Sequence, residues 1–367
     1  SQVIERCIAG DSDDRYATAA ELARALEEVT LRAVGDEKAR PYPGLAAFQQ
    51  EDARFFFGRE LEVEALWKKL RRPHLLAVIG PSGAGKSSFL RAGLLPTLTD
   101  GWQAIVITPG NRPFGHLAQA LARDLGDAPG VTDLLERIEE PEVAVELLTD
   151  WRKRSQHALL IVDQFEELFT QNPETVQASF AELLGRLPLE ADLFVLLSMR
   201  DDFLFHCHRF EAFQPILSDL TLLGPPTGAS LRRALVEPAL RCGYRFEDES
   251  IVEEMLAEVE GERGALPMVA FTAATLWEER DRESGFLTKQ AYEAMGGVGG
   301  ALAQHAEATL EQIGESRVPI VRELFRNLVT AQGTRAARDR EELLSVFDGT
   351  STTDVGEGLA PSRGDGS

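Results

Sequence analysis

Eight residues, Gly80-Pro-Ser-Gly-Ala-Gly-Lys-Ser87, constrain this chain more than any other stretch. They fit the spacing G-x-x-x-x-G-K-[ST], whose physical use is to wrap an oligophosphate. Gly80, Gly83 and Gly85 let the backbone curl until several N–H groups point inward at phosphate oxygens. A helix beginning at Lys86 would turn its positive end toward the same anion. Lys86 can neutralise the outer phosphates, and the Ser87 hydroxyl can ligate Mg²⁺. Flanking residues supply the context that the loop needs. Residues 75–79, LLAVI, read as a strand leading in, and 87–95, SSFLRAGLL, read as a helix leading out that Pro96 stops. Between Glu64 and Asp100 there is no acid, while Lys68, Lys69, Arg71, Arg72, Lys86 and Arg91 are present. In a chain of formal net charge −22 this is an electropositive island. The first four of those cations also suit a helix C-terminus.

Three more apolar runs, 104–108, 158–162 and 193–198, have strand length, and helical or polar stretches separate them. Such alternation predicts an α/β fold with a parallel sheet of about five strands, helices covering both faces. A helix over 60–72 places Val63, Leu66, Trp67 and Leu70 on one face, with acids first and bases last. From about 230 the pattern turns helical, over 229–241, 248–260, 266–281, 300–313 and 318–329. A short hairpin is expected over 333–345, and the polar stretch 346–367 is expected to be disordered. At the other end, 1–34 reads as two helices; Thr18 and Glu21 make a capping box, and Leu22, Leu26 and Val29 share a face. Gly35, Pro41 and Pro43 mark a linker after them.

The second chemical motif is Leu159-Leu-Ile-Val-Asp163-Gln-Phe-Glu166-Glu167. An apolar strand ending in Asp can hold Mg²⁺ through water, so Asp163 joins Ser87 as a metal residue. A carboxylate just beyond can orient and deprotonate an attacking water. Glu166 and Glu167 both qualify, and spacing does not choose between them; a solvated helix start is the bland alternative. The third motif is Leu196-Leu-Ser-Met-Arg200. An Arg at the carboxyl end of a parallel strand lies where ligands bind in such sheets, and Arg200 can touch a γ-phosphate. The alternative is a salt bridge to Asp201, Asp202 or Asp219. His206-Cys207-His208 alternates within an aromatic stretch and reads as packing rather than metal ligation. His74, His116, His157 and His305 lack sequence partners for catalysis, and Cys7 and Cys242 read as structural.

Composition removes several classes. With 367 residues, 44% hydrophobic and 27% charged, the chain is a soluble globular protein of two or three domains. Its negative charge argues against a nucleic-acid or acidic-membrane partner, which would need clustered Lys and Arg. Three scattered cysteines suggest a reducing, cytoplasmic setting. No apolar run reaches 18 residues, so no membrane span is expected. The absence of a starting Met, and a beginning inside an element, suggest a piece of a longer protein.

With these residues the chain resembles the STAND NTPases, specifically the first of the novel bacterial STAND groups, over about 41–345. Pro41-Tyr-Pro-Gly-Leu45 and Phe55-Phe-Phe-Gly-Arg-Glu60 are similar to that group's leading motif. Thr108-Pro-Gly110, Asp163-Gln-Phe-Glu-Glu-Leu-Phe169 and Met199-Arg-Asp-Asp-Phe203 follow in its order. The resemblance implies that Phe57, Gly58 and Arg59 contact the adenine and that Arg200 is the sensor arginine. Gly264-Ala-Leu-Pro267 resembles the motif of the helical domain whose proline packs on the base, which implies Pro267. Gly296-Gly-Val-Gly-Gly300, followed by Ala301–Leu310, looks like the approach to a winged helix, whose pattern runs out near 345 where family members continue. Residues 1–31 resemble the last helices of a bacterial Hanks-type Ser/Thr protein kinase. Arg15 in Asp11-Ser-Asp-Asp-Arg-Tyr16 matches its C-lobe arginine, while every kinase catalytic motif is missing, so no protein kinase activity is expected.

The expected architecture is therefore a P-loop NTPase sheet of order 5-1-4-3-2, a helical lid and a partial winged helix. The expected divisions are 1–34, 35–58, 59–228, 229–298, 299–345 and 346–367: kinase remnant, linker with leading motif, NTPase domain, lid, partial winged helix and tail. ATP and Mg²⁺ are the expected ligands, ATP rather than GTP by resemblance, held by Gly80, Pro81, Ser82, Gly83, Ala84, Gly85, Lys86, Ser87 and Ser88. The leading expectation is a slow regulatory ATPase switch, since no arginine finger is identified in cis. Self-association through the NTPase domain, an upstream kinase and downstream sensor or effector domains are the expected partners. A nucleotide-dependent scaffold without hydrolysis is the alternative. A P-loop kinase for a small metabolite fits less well, because the Glu pair suits activation of water.

Overall fold

The computed structural model describes residues 39–72, 74–125, 136–218, 220–258 and 266–329, with Cys7, Thr18 and Leu343. The chain divides into two compact units, Ser1–Leu302 and Ala303–Ser367.

Five parallel strands organise the first unit: β1 (Leu75–Gly80), β2 (Trp102–Ile107), β3 (His157–Val162), β4 (Phe194–Arg200) and β5 (Leu220–Leu222). They lie in the order β2-β3-β4-β1-β5, which counted from the β5 edge is 5-1-4-3-2. The four apolar runs of the sequence are β1 to β4, each shifted or lengthened by one or two residues. All six residues of β1 are buried, as a central strand covered on both faces requires apolar groups at every position. Alternate residues serve different cores. Leu75, Ala77 and Ile79 meet Trp151, Phe180 and Leu184 on one face. Leu76 and Val78 meet Leu66, Phe89 and Leu94 on the other. Helices Pro113–Leu125, Pro141–Arg152 and Glu174–Glu190 cover the first face. Glu60–Lys69 and the helical path after the loop cover the second.

That path departs from expectation. Lys86–Ser88 is α-helical, Phe89–Leu94 is a π-helical stretch, and Leu95–Thr97 is a 3₁₀ turn with Pro96 in its first turn. Pro96 thus lies inside the last helical turn rather than just beyond the helix, because a missing N–H costs nothing in a first turn.

Beyond the sheet, Gly228–Arg241, Glu249–Ala257, Leu266–Glu278, Lys289–Ala294 and the start of Gly297–Ile313 build a second core. Two-residue strands β6 (Arg245–Phe246) and β7 (Phe286–Leu287), not foreseen from the sequence, pair within it. The leading segment enters this core as well: Ala39, Tyr42 and Phe55 are buried with Leu235, Met255 and Trp277. The Tyr42 hydroxyl donates to Leu235 O at 2.5 Å, and Trp277 Nε1 donates to Ala39 O at 3.1 Å. Residues read as linker are thus packed from Ala39 onward, because their aromatic side chains carry more apolar area than a solvated linker would.

In the second unit the described elements are the rest of Gly297–Ile313, the turn Glu315–Arg317 and the helix Val318–Leu328. Gly314, at φ +92°, separates the first two. Apart from Cys7, Thr18 and Leu343, the expected kinase-like helices, the 333–345 hairpin and the polar tail lie outside the described residues, as does Gly264. Among the described residues no helix is long and apolar enough to cross a membrane.

One position tests the seam between β1 and β5. Leu223 N donates to Ile79 O at 2.7 Å, and a Cβ built on Gly80 would lie 2.0 Å from Leu223 O. Gly80→Ala must part those strands and is expected to cost about 1–3 kcal/mol, read as a lower urea midpoint.

Candidate active site

β1 delivers the chain to Gly80, and the loop then turns through Gly83 (φ +79°) and Gly85 (φ +83°). Both sit in the left-handed region, which a side chain would disfavour. Ala84 N donates to Pro81 O at 3.2 Å and closes the turn, leaving Ser82 exposed at its tip. Lys86 Nζ lies across the mouth, donating to Gly80 O at 2.8 Å and Pro81 O at 3.0 Å. Burial lowers the Lys86 pKa; Glu166, Asp201 and Asp163 oppose that shift, and Arg200 adds to it. Charges from the ends of β3 and β4 therefore converge on the ammonium of the β1 loop.

Asp163 ends β3 and is only 1% exposed. Its Oδ1 accepts from Ser87 Oγ at 3.1 Å and from Gln164 N at 3.0 Å. Its Oδ2 faces Arg91 Nη2 at 3.5 Å. Gln164 holds φ 54°, a left-handed conformation that costs a non-glycine residue about 1–2 kcal/mol. Anchors on both sides hold it there: Asp163 N donates to Ile107 O at 2.8 Å, and Phe165 N donates to Ser198 O at 2.8 Å. The fully buried Phe165 ring fixes the turn further. Ser87 and Asp163 present oxygen donors only, the donor type Mg²⁺ prefers. No group of three or more His, Cys, Asp or Glu able to hold a metal exists among the described residues. A metal here would therefore rely on these two side chains, phosphate and water.

The two glutamates separate in space. Glu166 Oε2 accepts from Arg200 N at 3.3 Å, and its charge is felt by Lys86. Burial raises the Glu166 pKa, against the pull of its own backbone N–H, Lys86, the Arg200 N–H and the Arg200 charge. Glu167 follows it in the first turn of the helix Glu166–Gln171 and is not among the leading charges acting on Lys86. The Arg200 guanidinium is engaged by Asp202 while its charge is still felt by Lys86. Nε and Nη2 donate to Asp202 Oδ1 and Oδ2 at 3.0 and 2.6 Å, with the Phe203 ring centroid 5.3 Å away. Of the salt-bridge partners considered from sequence, Arg200 takes Asp202, and Asp219 lies outside the described residues.

The leading motif also reaches the loop. Arg59, only 7% exposed, donates through Nη2 to Ala84 O (3.1 Å) and Gly224 O (2.6 Å), and through Nη1 to Glu62 Oε1 (2.8 Å). Gly58 has φ +85°, and a Cβ there would lie 2.3 Å from Ser230 O. Phe57 is half-buried, with the Arg241 guanidinium carbon 6.0 Å from its ring centroid. Pro267 is half-buried beside Leu266, whose Cδ2 would stand 3.6 Å from a Cβ on Gly85. Ser88 Oγ accepts from Phe48 N at 3.1 Å.

Gln49 and Phe48 belong to the surroundings of the site without any mark in the sequence, and Arg91, one of the electropositive island, has there a contact that the island alone does not specify. Arg91 lies four residues beyond Ser87, a spacing that places two helical residues on one face. His116 takes a structural part: its Nδ1 lies 2.8 Å from Thr108 O. His206 stacks on Phe169 and Phe203, and Cys207 is buried with its sulfur 3.7 Å from that of Met199.

The model of the novel STAND NTPase 1 family matches residues 41–363. No curated protein matches the sequence. Among solved structures, the Walker-type ATPase of Pyrococcus abyssi is similar at 17% identity and a TM-score of 0.49, covering 82% of this chain and 90% of that one. The Aeropyrum pernix ORC1 protein in complex with DNA is similar at 16% identity and a TM-score of 0.46, covering 85% of this chain and 81% of that one. The family match takes in the phosphate loop, Asp163, Arg200 and Pro267 within a single span, and the chain belongs to the novel STAND NTPase 1 family of P-loop NTPases.

Proposed function

We propose that this protein is a regulatory switch that binds ATP with Mg²⁺ and hydrolyses it slowly. The observation that carries the reading is the 3.1 Å hydrogen bond from Ser87 Oγ to Asp163 Oδ1, beside a lysine that spans an otherwise glycine-lined loop. In this reading the N–H groups of Gly80–Ser88 take the phosphates, and Lys86 exchanges its two loop carbonyls for phosphate oxygens. Mg²⁺, held by Ser87 and reached from Asp163, supplies charge neutralisation on the phosphates. Glu166 orients a water and accepts its proton as the water oxygen bonds to the terminal phosphorus and the bond to ADP breaks. A carboxylate with a pKa pushed upward by burial is the better base near neutral pH. Arg200 reaches the γ-phosphate by leaving Asp202, a half-exposed partner whose pairing is worth about 0–1 kcal/mol. No arginine finger in cis is assigned, which fits slow turnover.

Residues 229–298 act as the lid, with Pro267 and the Phe57-Gly58-Arg59 turn closing on the base. Arg59 takes part through its backbone, since its guanidinium is committed to carbonyl oxygens. Residues 59–228 form the NTPase domain, 299–345 a partial winged helix, and 1–34 the end of a kinase whose signal the switch receives. The setting is cytoplasmic, and downstream sensor or effector domains read the nucleotide state.

Three outcomes test the assignment. At ATP about 100-fold above its Kd, binding should add about 2.7 kcal/mol to stability, and Lys86→Ala should erase the resulting melting shift. Glu166→Gln should lower ATP turnover about 100-fold with binding retained, while Glu167→Gln stays within about threefold; a parent without turnover would point to a nucleotide-dependent scaffold. Stability should carry the same signature. Because the folded-state pKa of Glu166 lies above the unfolded one, its contribution is present below the unfolded value and is lost as pH rises through the folded value. Melting curves should then show Glu166→Gln gaining stability relative to the parent from pH 4 to pH 8.

A further inference from the structure

We infer that Arg91 is the counter-cation of Asp163 and competes with Mg²⁺ for it, so that Arg91 sets how much Mg²⁺ the nucleotide complex requires. The inference rests on the Mg²⁺-nucleotide reading above and adds to it a residue of this chain's own. Asp163 is almost wholly buried, and a buried carboxylate needs a compensating charge. Its Oδ1 has neutral donors only, the Ser87 hydroxyl and the Gln164 N–H. At Oδ2 the partner is the Arg91 guanidinium, 3.5 Å away. Lys86 bears on Asp163 through space, but its own hydrogen bonds go to Gly80 O and Pro81 O.

Arg91 also has a second place to rest. Its Nη1 donates to Gln49 Oε1 at 3.0 Å, a shorter contact than the one to Asp163. That acceptor is held in place: Gln49 Nε2 donates to Ala47 O at 2.8 Å, and Gln49 N donates to Asp52 Oδ2 at 2.9 Å. The third nitrogen of the guanidinium, the buried Nε–H, has no acceptor among the described residues, so the head is not locked by a full set of bonds. A divalent cation between Ser87 and Asp163 repels a guanidinium and takes the same carboxylate. Arg91 can yield toward Gln49 and keep a hydrogen-bond acceptor at a half-exposed position where solvent screens its charge. The metal-poor site is thereby neutralised from within, and Mg²⁺ enters by displacing a cation already there. The same displacement tightens Arg91 on Gln49, one residue beyond the Phe48 N–H that donates to Ser88 Oγ.

The test is a Mg²⁺ titration at fixed, near-saturating labelled ADP, whose own hold on Mg²⁺ is weaker than that of ATP. The readout is the Mg²⁺ concentration at half-maximal change in fluorescence. Arg91→Met keeps the length of the side chain and removes the charge, and it should lower that concentration about tenfold. Arg91→Lys keeps the charge and should stay within about threefold of the parent. Gln49→Met, at an exposed position, removes the alternative acceptor and should raise the concentration several-fold. A purely structural role for Arg91 would instead weaken nucleotide and Mg²⁺ together. An unchanged or raised value in Arg91→Met, or an unchanged or lowered one in Gln49→Met, overturns the inference while leaving the nucleotide site standing. A parent protein that binds ADP with no dependence on Mg²⁺ overturns both.

Discussion

The bond between Ser87 and Asp163 joins two strands that are not neighbours. β3 is separated from β1 by β4, yet the residue that closes β3 accepts from the helix that follows β1. This is possible because all five strands run the same way, so their carboxyl ends share one edge of the sheet. β4 fixes the span. Its register sets Gly80 opposite Arg200 on one side and Val162 opposite Leu197 on the other. A slip of β4 by one residue would exchange Leu196 and Leu197 between the two cores and carry the Arg200 N–H away from Glu166. The charge cluster around Lys86 is thus held in place by apolar packing that never touches it.

The leading segment couples that edge to the helical core. Tyr42 and Ala39 are bonded to Leu235 and Trp277, while Phe48, Gln49 and Arg59 are bonded to Ser88, Arg91 and Ala84. Phe56 adds an apolar contact, since a Cβ on Gly93 would come 2.9 Å from its ring. Fewer than twenty residues separate the first of these contacts from the last. A displacement of either the helical core or the loop therefore meets resistance through one short, continuous stretch of chain.

Much of this was legible in the sequence. Gly80–Ser87 and Asp163 carry spacing and chemistry that few other structures use, and strands β1 to β4 are long apolar runs bounded by polar residues. What escaped did so for physical reasons. A fifth strand beside β1 is expected from the resemblance, but its place in the chain is not marked: β5 has three residues, only Leu220 of them packed against the core, and lacks both length and an unbroken apolar pattern. β6 and β7 have two residues each, too few for any period to show. Glu166 and Glu167 are alike by spacing and differ only in which one the turn at Gln164 swings toward Lys86; a left-handed glutamine leaves no mark in composition. Arg91 was visible as part of a positive cluster, but its use depends on a tertiary contact with Asp163.

Arg59 shows how a family resemblance and a physical argument can divide a residue between them. The resemblance places the Phe57-Gly58-Arg59 turn over a base, and a long cation invites a direct contact. A guanidinium has five donors and tolerates burial only when they are used. Here Nη2 serves two carbonyl oxygens and Nη1 a carboxylate, at a residue only 7% exposed. Moving that head onto a base would strand Ala84 O and Gly224 O, and a hydrogen bond to a charged group contributes about 1.5–3 kcal/mol. Leaving it in place keeps the phosphate loop tied to the chain that runs from β5 into the helix Gly228–Arg241. The turn can still offer Gly58, whose lack of a Cβ permits the close approach to Ser230 O. The side chain of Arg59 therefore organises the loop, and in the proposed reading a base would meet only the backbone around it.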